Sequence, residues 1–179
     1  MRLVALVLTV ALAGCGPQKV RIPPVLPEPV SNNAVAIVGD TAYSFAGLKS
    51  GKTHADVTAD AFAVNLATGE RQKVPPLPDG KGRLASAAVA VDGRVYIFGG
   101  YTVAANGSEV STPDVFAFDP ATSSYLRRAA MPIPVDDSVA FPYGALIYLV
   151  SGVIGAILTG AWITFLIAYG IPFLITGKF

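Results

Sequence analysis

The stretch Ala61-Phe-Ala-Val-Asn-Leu-Ala-Thr-Gly-Glu-Arg-Gln-Lys-Val-Pro-Pro-Leu-Pro78 returns without a gap, 54 residues later, as Val115-Phe-Ala-Phe-Asp-Pro-Ala-Thr-Ser-Ser-Tyr-Leu-Arg-Arg-Ala-Ala-Met-Pro132. Repetition with a period near 50 residues is typical of repeat architectures, in which one unit cannot bury both of its faces alone. The sequence therefore predicts similar units that stack side by side.

The match continues on both sides of this pair. Ala34-Val-Ala-Ile-Val-Gly39 corresponds to Ala88-Val-Ala-Val-Asp-Gly93 at the same offset, and Tyr43-Ser-Phe-Ala-Gly47 corresponds to Tyr96-Ile-Phe-Gly-Gly100 after a slip of one residue. A third copy begins at Val139 and runs through Gly152. We therefore expect about two and a half units over residues 34–152.

Each unit has the pattern of β-strands. Val89 to Val91 and Val95 to Ile97 are short β-rich runs, and Asp92-Gly93 between them is a strong hairpin signal, because glycine accepts the positive φ of a type I′ turn. Val115 to Phe118 predicts a third strand and Tyr125 to Arg128 a fourth. Four antiparallel strands per repeat indicate the blade of a β-propeller.

These residues resemble the kelch family. Its repeat has an aromatic strand that ends in Gly-Gly, followed by two aromatic positions that are separated by six residues. The second unit matches this motif with Tyr96, Gly99, Gly100, Phe118 and Tyr125. The resemblance implies an all-β fold of incomplete kelch-type propeller blades, in which the glycines allow strands to approach closely and the last two aromatics pack between blades.

The other units depart from the kelch pattern. The first unit has Ala46-Gly47, Val64 and Arg71 at the motif positions, which makes its packing the weakest part of the resemblance. The third unit has Ser151-Gly152 and then stops matching.

The N-terminus carries a targeting pattern. Arg2 precedes an apolar run from Leu3 to Ala11, which is too short to span a bilayer and is typical of a signal peptide. Leu12-Ala13-Gly14-Cys15 resembles the lipobox of bacterial lipoproteins. The resemblance implies a signal peptide over residues 1–14 and lipidation of Cys15; the alternative is an ordinary signal peptide with an incidental cysteine.

A proline-rich segment follows Cys15. Five prolines between Pro17 and Asn33 favour an extended tether, which we place at residues 15–33. The whole chain has 13 Lys+Arg against 12 Asp+Glu, so its charge gives no reason to expect a nucleic-acid partner. Its 53% hydrophobic content and mean hydropathy of +0.55 are typical of an envelope protein rather than a cytosolic enzyme.

The C-terminal tail, residues 153–179, breaks the repeat. From Ala145 to Thr176 there is no charged residue, and this run exceeds the ~20 residues of a spanning helix. Either the tail is a transmembrane helix beside a lipid anchor, or a disrupted reading frame has removed further blades. Disruption is favoured because the break falls inside a unit, just after Gly152.

The sequence offers little catalytic chemistry. His54 is the only histidine and Cys15 the only cysteine. The kelch resemblance extends to galactose-oxidase-like propellers, whose copper chemistry needs a cysteine cross-linked to a tyrosine and several histidine ligands. This sequence does not provide that set of residues. We predict no metal site, no cofactor and no catalytic residue. The long loop from Tyr101 to Thr112 is a natural binding surface, and Arg127-Arg128 is typical of a solvated strand edge.

We therefore expect a binding or interaction module without catalysis that is anchored to the bacterial cell envelope and faces the periplasm or exterior. Its expected partners are the membrane, through Cys15 and in one reading the tail, and an unknown protein or carbohydrate ligand. The alternative is a fragment of a carbohydrate-active kelch enzyme, such as a sialic-acid mutarotase-like protein.

Overall fold

The computed structural model describes residues 24–144, 146–153 and 171–174, and they form antiparallel strands and one single-turn 3₁₀ helix, His54–Asp56. The strands are β1 (Val30–Ser31), β2 (Ala34–Val38), β3 (Thr41–Lys49), β4 (Val57–Asn65), β5 (Arg71–Val74), β6 (Ala87–Val91), β7 (Arg94–Phe98), β8 (Tyr101–Val103), β9 (Glu109–Ser111), β10 (Val115–Asp119), β11 (Ser124–Arg127), β12 (Asp136–Tyr143), β13 (Leu146–Val153) and β14 (Ile171–Leu174). The predicted all-β character is confirmed over these residues.

The first unit folds into sheet I, in which β2, β3, β4 and β5 pair in sequence order. The short strand β1 adds to the far end of β3, where Val30 pairs with Lys49. The register between β3 and β4 shifts between Phe45 and Gly47. Sheet I is thus a four-stranded meander with one short additional strand.

The second unit folds into sheet II, with the order β11-β10-β7-β6. The predicted hairpin is confirmed: Asp92 and Gly93 connect β6 to β7 with φ values of 49° and 75°. The third predicted strand is β10, and the fourth, β11, covers Ser124–Arg127. A separate hairpin of β8 and β9 projects from the connection between β7 and β10.

The third unit folds into sheet III, with the order β12-β13-β14. Part of the tail that one reading places in a transmembrane helix is therefore a strand, since Ile171–Leu174 pair with Leu146–Leu149 of β13. Pro172 is compatible with this position because β14 lies at the edge of the sheet, where a missing N–H is tolerated.

Other predictions fall outside the described residues. These are the signal peptide, Cys15 and the first part of the tether, together with residues 154–170 and 175–179 of the tail. Within the described residues, no helix has the length and apolar character required to cross a membrane.

Two apolar layers hold the three sheets together. The layer between sheets I and II contains Phe45 of sheet I with Phe116 and Phe118 of sheet II. The layer between sheets II and III contains Tyr96 and Phe98 of sheet II with Ile147 and Leu149 of sheet III. Because successive side chains of a strand point to opposite faces, β7 and β10 contribute to both layers. Sheet II is therefore buried on both faces.

Candidate binding face at one end of the sheets

Among the described residues, the long connections lie at one end of the sheets, which we call the loop end. They are residues 50–56, 75–86, 99–114 and 128–135, whereas the opposite end has short turns at residues 39–40, 66–70, 92–93 and 120–123. Antiparallel pairing requires this arrangement, because alternate strands of a meander turn at opposite ends. Loops are the usual carriers of binding residues, so the loop end is the candidate functional face.

The motif glycines Gly99 and Gly100 lie where β7 enters the loop end. Their φ values are +56° and +86°, a region that L-residues with a side chain rarely adopt. A Cβ on Gly99 would overlap the carbonyl oxygen of Val135, and a Cβ on Gly100 would come within 2.6 Å of the carbonyl oxygen of Leu84. The two glycines thus let the chain pass directly against the connections that lead into β6 and β12.

In the first unit, Ala46 and Gly47 occupy the place of this pair. Ala46 adopts a φ of 57° despite its Cβ, and Gly47 has a φ of 116°. The amide of Gly47 donates to the carbonyl of Arg83 at 3.0 Å, just as the amide of Gly100 donates to the carbonyl of Val135 at 2.9 Å. The departure from Gly-Gly therefore leaves the backbone geometry of the first unit intact.

The other departures of the first unit also fit its sheet. Val64 is buried with 3% of its surface exposed, and Arg71 is exposed on β5. Neither residue disturbs the layer between sheets I and II, which is lined from sheet I by Tyr43, Phe45 and Ala61.

A second backbone link connects all three sheets. Asn32, Ala85 and Asp137 occur at spacings of 53 and 52 residues, and all have positive φ values, of 53°, 54° and 44°. The amide of Ala85 donates to the carbonyl of Asn32 at 2.9 Å, and the amide of Asp137 donates to the carbonyl of Ala85 at 3.1 Å. These three equivalent residues form a hydrogen-bonded chain across the start of the first strand of each unit.

Arg83 is the most deeply buried charged group of the described residues, with 1% of its surface exposed. Its guanidinium forms an ion pair with Asp79, lies 3.7 Å from Asp114, and donates to the carbonyl of Gly99 at 3.3 Å. The same guanidinium lies over the ring of Phe116, 5.4 Å from its centroid. The contacts of Arg83 thus link the connections 75–86 and 99–114 of the loop end to β10 of sheet II.

Sequence reasoning did not identify Arg83. The residue follows the polar segment Asp79-Gly-Lys-Gly82, which reads as an ordinary solvated linker. The corresponding positions of the other units carry no arginine, so the repeat gives no signal either. Only the tertiary structure shows that the side chain points inwards.

Asp114 is shared by several partners. It accepts a hydrogen bond from the Thr112 hydroxyl at 2.7 Å and pairs with Arg127 as well as with Arg83. Partial burial raises the pKa of Asp114, but the Thr112 hydroxyl and the two guanidinium groups outweigh it and hold the pKa below its ordinary value. Arg127, which the sequence predicted as a solvated edge residue, is exposed and also takes part in this network.

The motif aromatics Phe118 and Tyr125 lie between sheets I and II. Their ring centroids are 4.9 Å apart, and Phe118 is 5.6 Å from Phe45 of sheet I. The Tyr125 hydroxyl donates to the carbonyl of Pro75 at 2.8 Å, just after the end of β5. Burial raises the pKa of Tyr125 far above its ordinary value. Tyr96 faces the other layer, between sheets II and III.

An acidic group lies around the β8–β9 hairpin. The Ser111 hydroxyl donates to Asp136, and partial desolvation together with the Asp136 carboxylate raises the pKa of Asp137. Burial, followed by the charges of Glu109, Asp137 and Asp136, raises the pKa of Tyr101.

The residues around His54 form a capped turn. Asp56 accepts hydrogen bonds from the amide and hydroxyl of Thr53, at 2.9 and 2.6 Å, which lower the pKa of Asp56. Asp60 lies on β4 and pairs with Lys49 and Lys73. Among the described residues, no group of three or more His, Cys, Asp or Glu side chains is arranged to hold a metal ion.

Comparison with known proteins identifies the repeat. Residues 82–132 match the Kelch motif. N-acetylneuraminate epimerase of Pasteurella multocida (strain Pm70) is 30% identical over 134 residues, which are 73% of this chain and 33% of that protein. The kelch-like protein terF of Aspergillus terreus is 30% identical over 142 residues, which are 79% of this chain and 29% of that protein.

The fold has a solved counterpart in the structure of YjhT, a kelch β-propeller. The TM-score is 0.58 at 23% sequence identity, and the match covers 71% of this chain and 35% of YjhT. The chain spans about a third of the length of the relatives it matches. The protein thus carries a Kelch motif and the fold of a partial kelch β-propeller, and it is similar to kelch-repeat proteins over most of its length.

Proposed function

We propose that the protein is a lipid-anchored kelch-repeat binding module of the bacterial cell envelope, and that its loop end binds a protein or carbohydrate ligand. The observation that carries this proposal is the separation of the described connections, with the long ones at the loop end and short turns at the opposite end. A surface of loops on a scaffold of sheets can vary in sequence without disturbing the core.

The charged groups at the loop end are paired with one another, and this favours binding over catalysis. The guanidinium of Arg83 is buried against Phe116 and paired with Asp79, and Asp114 is held by Arg127 and Thr112. These contacts tie the connections together and direct the charges towards each other. The exposed tip of the β8–β9 hairpin, residues 104–108, then offers amide and hydroxyl groups such as those of Asn106 and Ser108.

The binding proposal is tested by photo-crosslinking in bacteria that express the full chain. A photoreactive amino acid at Asn106 samples the loop end, and the same group at Thr68, in the β4–β5 turn, is the matched control at the opposite end. We expect a discrete adduct from position 106 and none from position 68. Equal adducts from both positions, or none from either, would contradict a ligand-binding loop end.

A second candidate function has a specific observation in its favour. The similarity to N-acetylneuraminate epimerase extends over 73% of this chain, which supports a fragment of a carbohydrate-active kelch enzyme. The test is the interconversion of the N-acetylneuraminate anomers, followed by NMR line shape or saturation transfer with the purified full chain. We expect the uncatalysed rate. An acceleration that scales with protein concentration would show that the protein is an enzyme and would overturn the proposal of a binding module.

The anchoring part of the proposal rests on Leu12-Ala13-Gly14-Cys15. Several fatty chains on one residue give stable membrane attachment, whereas a single chain binds only marginally. A transmembrane helix in the tail, residues 153–179, would add a second anchor. That reading conflicts with the pairing of Ile171–Leu174 on β13, because strands of one sheet lie on the same side of a membrane. The nucleotide sequence distinguishes a genuine tail from a disrupted reading frame. A disruption would leave kelch-like Gly-Gly and aromatic strings in another frame downstream of the Gly152 codon.

A further inference from the structure

Sheet III presents an uncovered apolar face. On β12, the side chains of Val139, Phe141 and Tyr143 are 66%, 43% and 73% exposed. Tyr148 of β13 stacks on Phe141 with ring centroids 5.7 Å apart, and Val150 beside it is 36% exposed. A contiguous apolar and aromatic patch on one face of a sheet indicates an interaction surface.

The repeat identifies what kind of surface this is. Subtracting 52 from 139, 141, 143, 148 and 150 gives the corresponding residues of sheet II, which are Ala87, Val89, Val91, Tyr96 and Phe98. These are the residues that pack against sheet III within the chain. The exposed face of sheet III is therefore built like a face that receives the next sheet of a propeller.

Sheet I has the complementary kind of face. Val35 and Ile37 of β2 are 51% and 54% exposed. The structure corrects the sequence alignment of these strands by one residue. Ala36 pairs with Tyr43 as Val89 pairs with Tyr96, so β2 corresponds to β6 at an offset of 53 and not at the predicted 54. At this offset Val35 and Ile37 correspond to Ala88 and Ala90 of sheet II, which pack towards sheet I.

On the same face of sheet I the cross-strand residues Phe62 and Val64 are buried, so the exposed part of this face lies along β2. This exposed strand is therefore built like the one with which a sheet docks onto the preceding sheet.

We propose that a second copy of this chain covers these faces, with the sheet I of each copy docked head-to-tail on the sheet III of the other. The contact would repeat the pairing already made between sheets I and II and between sheets II and III. Closed propellers have about four to eight blades, so the three sheets of the described residues are too few to close a ring, whereas two copies supply six. A head-to-tail interface forms a finite assembly only when the ring closes.

The experiment uses the full chain with Cys15→Ser, purified in mild detergent and measured by sedimentation equilibrium. Ile37→Asp blocks the face of sheet I, and Phe141→Asp blocks the face of sheet III, because a buried unpaired carboxylate opposes association. We expect the parent chain to be a dimer and each variant alone to be monomeric. An equimolar mixture of the two variants should regain a dimer, since one copy retains each of the complementary faces.

Val110→Asp is the matched control, because Val110 is 62% exposed but lies on the β8–β9 hairpin, outside both faces. This variant should dimerise like the parent chain. A monomeric parent, or a single variant that remains a dimer, would overturn the proposal. Assemblies that grow steadily with concentration would overturn the closed ring.

A second measurement covers the case in which the aspartate variants fail to fold. Cys15 is the only cysteine, so in the Cys15→Ser chain Val35→Cys and Phe141→Cys each introduce a single thiol. On mild oxidation of an equimolar mixture, random pairing gives about twice as much of the disulfide between the two different variants as of either homodisulfide. Head-to-tail docking predicts that this disulfide greatly exceeds the random proportion. The random proportion of the three disulfides, or a Phe141→Cys thiol that is shielded in a monomeric chain, would contradict a second copy on this face.

Discussion

Gly99 and Gly93 both have positive φ values, but only Gly99 is crowded. Alanine at Gly93 meets nothing within 4 Å and should cost about 1–2 kcal/mol of stability from its left-handed backbone alone. Alanine at Gly99 would also collide with the backbone carbonyl of Val135 and should cost about 1–3 kcal/mol more. Urea unfolding of Gly99→Ala and Gly93→Ala in parallel checks this difference, and equal losses would contradict the close approach.

At the same scale, the sequence predicts some residue roles and not others. Asp92-Gly93 could be placed in a hairpin turn because glycine at a positive φ has a local signature. Ala46 and Ala85 adopt positive φ values without such a signature. Ala85 is held by hydrogen bonds to Asn32 and Asp137 of the neighbouring units, and Ala46 precedes Gly47, whose amide donates to the carbonyl of Arg83. Tertiary contacts of this kind cannot be predicted from the residue itself. The burial of Arg83 was missed for the same reason.

At the scale of elements, Tyr125 connects β11 with the end of β5. Tyr125→Phe keeps the ring contact with Phe118 and removes the hydrogen bond to the carbonyl of Pro75, so we expect a loss of about 1 kcal/mol in the free energy of unfolding. Tyr101→Phe is the control, because Tyr101 lies on the β8–β9 hairpin, outside the layer between sheets I and II and outside the proposed docking faces. Thermal denaturation should separate the two variants. A Tyr125→Phe chain as stable as the control would show that this hydrogen bond contributes nothing.

Asp60 connects three strands of sheet I. It lies on β4 and pairs with Lys49 of β3 at 2.9 Å and with Lys73 of β5 at 2.8 Å. Hydrogen bonds from Lys73 and then Lys49 lower the pKa of Asp60 far below its ordinary value of 3.8. A carboxylate with a lowered pKa stabilises the fold above pH 3.8, and this contribution falls as the pH drops towards the pKa in the folded state.

We therefore expect Asp60→Asn to destabilise the protein at pH 7 by about 1 kcal/mol, because the lysine partners are partly solvated. The loss relative to the parent chain should shrink steadily as the pH is lowered below 3.8. Unfolding curves measured from pH 7 to pH 2 check this, with the exposed turn variant Glu70→Gln as the control. A loss that is independent of pH would contradict the role of the Asp60 charge.

At the scale of the whole molecule, the repeat was the most informative feature of the sequence. The antiparallel meander and its unit boundaries follow from matches such as Ala61 with Val115, because each repeat must bury the same faces. The tail was harder, since an uncharged run such as 145–176 satisfies the requirements of a membrane helix and of a buried strand alike. Its residues Ile171–Leu174 pair with β13, a contact across 17 intervening residues that periodicity cannot reveal.

The membrane attachment of the whole molecule is tested at Cys15. We expect Cys15→Ser to accumulate as a precursor without fatty-acid label, because the lipidated side chain is the attachment point. Metabolic labelling with palmitate in a bacterial host measures this, and Gly16→Ser, which leaves the cysteine in place, is the control. Undiminished labelling of the Cys15→Ser chain would exclude the lipobox.

The link from Asn32 through Ala85 to Asp137 uses only main-chain amides and carbonyls. Three unlike side chains therefore occupy one structural position without altering the link. A unit that is copied by gene duplication carries its own main-chain donor and acceptor. It can therefore form this hydrogen bond with the neighbouring unit before any compensating substitution has arisen. Growth or shrinkage of such a chain by recombination then needs no matched change in a neighbouring unit.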